Sequence, residues 1–347
     1  MSDHQDLFRR PLHALMWGLC VSLGCLACNN AHAASMILST GFESPYALGT
    51  LQGQQGWITA GSGGSTATVQ SSVVKTGSQA VQVTKAGAPG TDRRWAVQQS
   101  GLPTQRYIIV DWDMRVSQPS NLTASGPFFG VESYDGITSP QFPKLLGSLG
   151  VNATTGDVLY QTQGNGYLTP TGTIVPFNQW NHFRIVLDFN ADSYGGYVNG
   201  ALVSTAGFVD GGNSFTDADI STFATGEDAI WQSLSASAVF DNFTVRDGLL
   251  GDYNLDGTVN VADYTQWRTT FGSTISPAGN FADGNRNGVV DAADYVIWRD
   301  NLGASVAPGA GAGLGSIVVP EPASWLLLLG ALPGILRLRR SRSSWRV

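Results

Sequence analysis

The chain has 347 residues, of which 13% are charged and 42% hydrophobic, with 43 glycines and a formal net charge of −7. That balance offers no basic surface for nucleic acid or anionic membranes. Ten tryptophans and regular apolar alternation in the central part exclude a chain disordered throughout.

In chain order, Arg9 and Arg10 precede an apolar stretch from Ala14 to Cys28, and Ala31-His32-Ala33 fits a small-x-small cleavage site. This is the pattern of an export signal over residues 1–33, cut after Ala33 by signal peptidase. A lipoprotein acylated on Cys28 is the alternative. All three cysteines (Cys20, Cys25, Cys28) lie in this leader, so the exported chain has no disulfide, cysteine zinc site or thiol nucleophile.

Residues 34–248 read as one mainly β domain. In Tyr107–Val116, Ile108, Val110, Trp112, Met114 and Val116 face one way, and Asp111, Asp113 and Arg115 the other, which is read as a solvated outer face. Trp180–Phe189 repeats the pattern, with Phe183, Ile185 and Leu187 inward and His182, Arg184 and Asp188 outward. Asn199-Gly200 joins Tyr194–Val198 to Ala201–Ser204 as a hairpin. Further strands are expected at 66–73, 79–84, 94–99, 127–132, 145–151, 157–161 and 238–246. Many strands separated by Gly/Asn/Ser turns, with no helical period, mean a two-sheet sandwich. The passage from Trp180 to Asp188, followed by Tyr197-Val198-Asn199-Gly200 and the closing Phe240–Val245, resembles laminin-G-like, concanavalin-A-like jelly rolls. The resemblance implies a first strand near Gly41-Phe42-Glu43 beside the last one, in a fold that hosts lectins, glucanases and lyases alike.

The Glu-x-Asp-x-x-Glu run of retaining glucanases is absent, and Glu132 with Asp135 is the nearest approach, so no catalytic residue is assigned. His182 is the only histidine outside the leader, which leaves a zinc site or a Ser-His-Asp triad without support. Rings in or near expected loops are the candidate ligand contacts: Trp57, Trp95, Tyr134 and Trp231, with Tyr160 and Tyr167 beside them.

Two near-copies of one loop follow, 31 residues apart. Asp252, Asn254, Asp256, Asn260 and Asp263 stand at positions 1, 3, 5, 9 and 12 of the first, and Asp283, Asn285, Asn287, Asp291 and Asp294 at those of the second. Glycine is at position 6 of each, where a twelve-residue loop turns sharply around a calcium ion wrapped in oxygen ligands. Each loop leads into a helix with an apolar stripe: Tyr264, Trp267 and Phe271, then Tyr295, Trp298 and Leu302. Loop-then-helix units of this kind, over residues 249–303, resemble type I dockerin domains. The resemblance implies two Ca2+ ions, backbone ligands from Thr258 and Val289, and docking to a cohesin-like or other scaffold protein. Positions 10 and 11, polar in that family's partner contacts, are Val261-Ala262 and Ala292-Ala293 here, which points away from a standard cohesin.

A Gly/Ala linker at 304–319 precedes Pro320-Glu321-Pro322, an apolar run to Leu336 and five arginines. Fourteen apolar residues fall short of the ~20 that span a bilayer as a helix. The order of residues 320–347 resembles the PEP-CTERM sorting signal, which implies a short, transient transmembrane segment, processing by an exosortase and delivery to the cell envelope or extracellular matrix. Between the two addresses remain 12 Lys+Arg against 23 Asp+Glu. The sequence supports an exported protein whose sandwich binds an extracellular polysaccharide or surface polymer while the calcium module links it to a scaffold. Two alternatives stay open: a dockerin-tethered glycoside hydrolase or polysaccharide lyase, and a structural matrix protein without ligand.

Overall fold

The computed structural model describes residues 36–61, 63–99, 107–122, 124–136, 143–164, 167–275, 281–285 and 287–305. The chain divides into two units, Met1–His32 and Ala33–Val347. The leader with Ala33, the sorting motif Pro320, Glu321 and Pro322, and the linker beyond residue 305 lie outside the described residues.

Short strands β1 (Met36–Thr40), β2 (Gly49–Thr50), β3 (Ile58–Ala60), β4 (Thr66–Gln70), β5 (Ala80–Lys85) and β6 (Arg93–Ala96) precede the long β7 (Tyr107–Ser117) and β8 (Phe128–Asp135). Strands β9 (Lys144–Asn152), β10 (Asp157–Gln161) and β11 (Leu168–Ile174) continue from β8, and β12 (Asn181–Asp188), β13 (Ser193–Val198) and β14 (Ala201–Gly207) form a second meander. Strand β15 (Asp217–Phe223), the single turn α1 (Ala229–Gln232) and β16 (Ala236–Asp247) complete the sandwich. Two helices, α2 (Val261–Thr270) and α3 (Ala292–Asp300), belong to the C-terminal module.

One sheet runs β14-β13-β12-β7-β16-β5-β4-β2 and the other β11-β10-β9-β8-β15-β6-β3. The pairings are antiparallel, so the architecture is a two-sheet antiparallel sandwich. Strand β16 shares one edge between two partners: residues 236–240 pair with β5, and beyond an irregularity at Asp241/Thr244 residues 243–246 pair with β1. The first strand does lie beside the last, but it ends at Thr40, before Gly41-Phe42-Glu43.

Alternation explains the core. Phe183, Ile185 and Leu187 of β12 are buried, and Phe183 pairs with Trp112 of β7, their rings stacked 5.6 Å apart. Facing them, β8 and β15 contribute Phe129, Val131, Ala218 and Ile220. At one point the sheets approach so closely that only glycine fits: a Cβ on Gly147 would lie 2.7 Å from the Tyr194 ring. The Tyr194 hydroxyl then donates to the Gln161 carbonyl at 2.5 Å.

In the C-terminal module the two loop–helix units grip each other reciprocally. Trp267 Nε1 donates to the Asp291 carbonyl and Trp298 Nε1 to the Asn260 carbonyl, both at 2.8 Å. Tyr264, Trp267, Tyr295 and Trp298 form one aromatic cluster between the helices. The expected stripes are shorter than their spacing implied. Phe271 and Leu302 fall past the helix ends and are 55% and 54% exposed.

Candidate functional site

Each loop is built around its own carboxylates. In the first, Asp252 accepts from the amides of Asp256 at 3.0 Å and Gly257 at 2.8 Å, while Asp263 accepts from Asn254 at 3.1 Å and Asn260 at 2.8 Å. The second repeats the set: Asp283 accepts from Asn287 at 3.1 Å and Gly288 at 2.9 Å, and Asp294 from Asn285 at 2.9 Å and Asp291 at 2.8 Å. Positions 9 and 12 also form a capping box for the following helix, because N-cap and N3 are three residues apart. Gly257 and Gly288 adopt φ of 90° and 83°, the left-handed region that position 6 needs.

Asp263, Asp283 and Asp294 are fully buried and Asp252 is 3% exposed. Burial pushes the Asp252 carboxyl up to about 6, and raises Asp294 as well. Buried carboxylates amid asparagine and carbonyl oxygens make an all-oxygen donor set suited to a hard divalent cation. Among the described residues no group of three or more His, Cys, Asp or Glu side chains is placed to hold a metal ion by itself. A cation here would therefore draw on Asn254, Asn260, Asn285, Asn287 and backbone carbonyls such as those of Thr258 and Val289, as well as on the aspartates.

On the outer face of the sheet containing β7, the expected solvated aspartates are buried instead. Asp111 and Asp113 are 7% and 8% exposed. Register supplies the reason: β12 sets Arg184 opposite Asp111 and His182 opposite Asp113. His182 Nε2 lies 3.1 Å from Asp111 Oδ1 and Nδ1 3.6 Å from Asp113 Oδ1, while Arg184 Nε donates to Asp111 at 2.5 Å. Asn242 of β16 donates to Asp113 at 2.8 Å. Although burial opposes it, these partners hold both carboxyls below the usual range. The carboxylates of Asp111 and Asp113, which face its two ring nitrogens, push His182 up to about 9. Next to this cluster, a cavity of about 560 Å³ separates the sheet from the first loop, with Tyr107, Arg184, Tyr197 and Asp252 in its lining.

The other sheet carries a second polar site, and most of it was not legible in the sequence. A cavity of about 320 Å³ is lined by Arg94, Gln98, Tyr134, Thr216, Asp217 and Asp219, among others. Arg94 Nε is 3.2 Å from Asp219 Oδ2, and its guanidinium sits 4.3 Å over the Tyr134 ring. Opposite Asp219 in register, Glu132 accepts from the Ser221 hydroxyl at 2.7 Å. Burial raises the carboxyls of Glu132 and Asp217, and raises Asp219 well above the usual range, where the charge of Asp217 adds to the effect. Asp219 Oδ1 is buried without a hydrogen-bond partner. Asp217 and Asp219 stand two residues apart on one face of β15, and each carboxyl is raised chiefly by burial. The alternation Asp217-Ala218-Asp219-Ile220 was the available signal. Glu132 and Asp135, the nearest approach to a glucanase run, have separate partners: Asp135 accepts from the Asn213 amide at 3.1 Å, and Glu132 from Ser221.

Of the candidate ligand rings, Trp57 and Trp95 are core residues and not exposed ligand contacts. Trp57 is fully buried between Phe42 and Phe243 with Nε1 donating to the Tyr46 hydroxyl at 2.9 Å, and Trp95 is 1% exposed. Tyr134 is 7% exposed but lines the acidic cavity. Trp231 lies half-buried on α1 against Gly226, and Tyr160 packs at the core margin. Tyr167 is 76% exposed.

No protein-family model and no curated protein matches the sequence. Among solved structures, a sialidase resembles the chain with a TM-score of 0.44 at 12% identity, over 69% of this chain and 20% of that one. The chain therefore spans about one fifth of the sialidase. A mutant of alginate lyase Aly36B in complex with alginate trisaccharide gives 0.43 at 16% identity over 62% and 98% of the two chains. An endo-beta-1,4-glucuronan lyase from the fungus Trichoderma reesei gives 0.40 at 16% over 58% and 93%. The two-sheet architecture is established by the strand pairing, and none of these likenesses assigns an activity.

Proposed function

We propose that this is an exported, envelope-directed protein in which a concanavalin-A-like sandwich recognises an extracellular glycan and a dockerin-like, calcium-stabilised module tethers it to a scaffold. The carrying observation is the duplicated carboxylate cage, in which four buried aspartates accept eight backbone hydrogen bonds, the same four in each loop. Calcium, when bound, supplies the divalent charge that offsets these carboxylates. The chain's own part is to hold them turned inward through Gly257 and Gly288 and to couple each loop to its helix through the capping boxes. Native mass spectrometry of the chain purified without chelator is expected to show two calcium ions. A chain that takes up none overturns the reading.

For the glycan, the cavity beside Tyr134 is the site favoured by its chemistry. Arg94 donates, Asp217 accepts, and the set suits a hydroxyl-rich ligand. The Asp217–Asp219 pair favours a second reading, a carbohydrate-active enzyme, because two carboxyls lining one cavity, both raised by burial and Asp219 the more strongly, are groups that acid–base chemistry can use. Incubating the protein with a polysaccharide panel while following bound protein and released sugar ends separates the two. Binding without product, weakened by Asp219→Asn, supports recognition. Product release abolished by the same change supports the enzyme, and neither binding nor release leaves the structural role.

A further inference from the structure

Arg246, the penultimate residue of strand β16 before the chain enters the first loop, is 5% exposed and reaches both the sheet and the loop. Its Nε lies 3.7 Å from Asp111 Oδ2 on the sheet, and its Nη1 3.9 Å from Asp252 Oδ2 in the loop. Nη2 donates to the Leu255 carbonyl, loop position 4, at 2.6 Å. Nη1 itself is buried without a hydrogen-bond partner. Asp111 is already shared with His182 and Arg184, so it neutralises Arg246 only in part. The sheet thus presents surplus positive charge to the first loop.

We infer that Arg246 sets the cation affinity of the first loop from outside it, as a fixed charge with which a divalent ion must share Asp252. The inference rests on the calcium reading above. Two opposing effects have to be weighed. The bond to Leu255 preorganises the loop and favours binding, whereas the guanidinium repels an incoming cation. At the intermediate screening of a buried site, a unit and a double charge a few ångströms apart outweigh one hydrogen bond. Arg246 therefore keeps the first loop weaker than its ligands alone would make it, and ties its occupancy to the charged face of the sandwich.

Calorimetric titration of the whole chain with calcium, with bound ions counted by native mass spectrometry, tests this. Asp252→Ala and Asp283→Ala first assign the binding steps to the two loops. Arg246→Met, neutral and of similar length, is expected to tighten the first-loop step about tenfold and leave the second unmoved. Arg246→Lys keeps the charge, loses the fork and is expected to keep the first step weak. That contrast separates charge from any loss of packing, and circular dichroism checks that each variant is folded. An Arg246→Met step that is unchanged or weaker, or an Arg246→Lys step tightened to match it, overturns the inference while the calcium reading stands. A wild-type chain that binds no calcium overturns both.

Discussion

At the scale of single residues, His182 is the group whose titration can be read most directly. Its ring is held by Asp111 and Asp113, which raise it from 6.5 to about 9. A cation favoured by folding contributes stability that is fully present below the unfolded value and is lost as pH rises through the folded one. His182→Gln is therefore expected to be less stable than wild type at pH 6, and the gap to close between pH 6.5 and about 9. With the side chain 41% exposed, solvent screening reduces the effect to about 1 kcal/mol. Denaturant melts of both proteins across that range measure it, and a gap independent of pH would show that the aspartates do not bind the charged ring. The same cluster shows what the sequence could and could not say. Alternation in β7 put Asp111 and Asp113 on the outer face correctly, but whether that face meets water depended on which side chains β12 and β16 set beside them.

Among elements, legibility followed periodicity. Strands β7 and β12 were plain because one face meets the core and the other does not. Strand β11 was missed: it lies at a sheet edge, half-exposed along its length, and its Leu-Thr-Pro-Thr-Gly-Thr-Ile has no apolar face to show. Strand β15 was missed because Gly, Asn, Ser and Asp precede it and read as a turn, and the Asp217–Asp219 pair went with it. The loop–helix units, by contrast, are local structures and carried their own signal. Gly288, at φ 83°, is expected to lose about 1–2 kcal/mol on replacement by Ala, from strain that the loop cannot relieve. Trp298→Ala removes both aromatic packing and the bond to the Asn260 carbonyl, and is expected to destabilise the module by about 3 kcal/mol. Because the bond is reciprocal, that change is also expected to weaken calcium uptake by the first loop, in which Trp298 does not stand. Thermal unfolding at fixed calcium measures the stabilities, and titration of the same variants measures the uptake.

For the whole molecule, the sandwich has a continuous core of its own, and the module has two small clusters around Leu249–Val259 and Tyr253–Val290. Chelation is therefore expected to lower one calorimetric transition and leave a second in place. If each loop holds calcium as proposed, a concentration about a hundred times the dissociation constant would add about 2.7 kcal/mol per site that the chelator removes. A single transition that ignores the chelator would contradict this. The pairing of β1 with β16 has a further, mechanical consequence. Met36 lies beside Arg246 and Thr40 beside Phe243, so the chain enters and leaves the sandwich at the same end of that ladder. Tension applied between residue 36 and the C-terminal module peels the ladder open one rung at a time, the weak direction for an antiparallel pair. A load taken up by the opposite sheet and transmitted to the module instead runs through β16, which is flanked by β7 on one side and by β5 and β1 on the other. The sandwich is thus strong when pulled through its body and easily unfastened when pulled by its first strand.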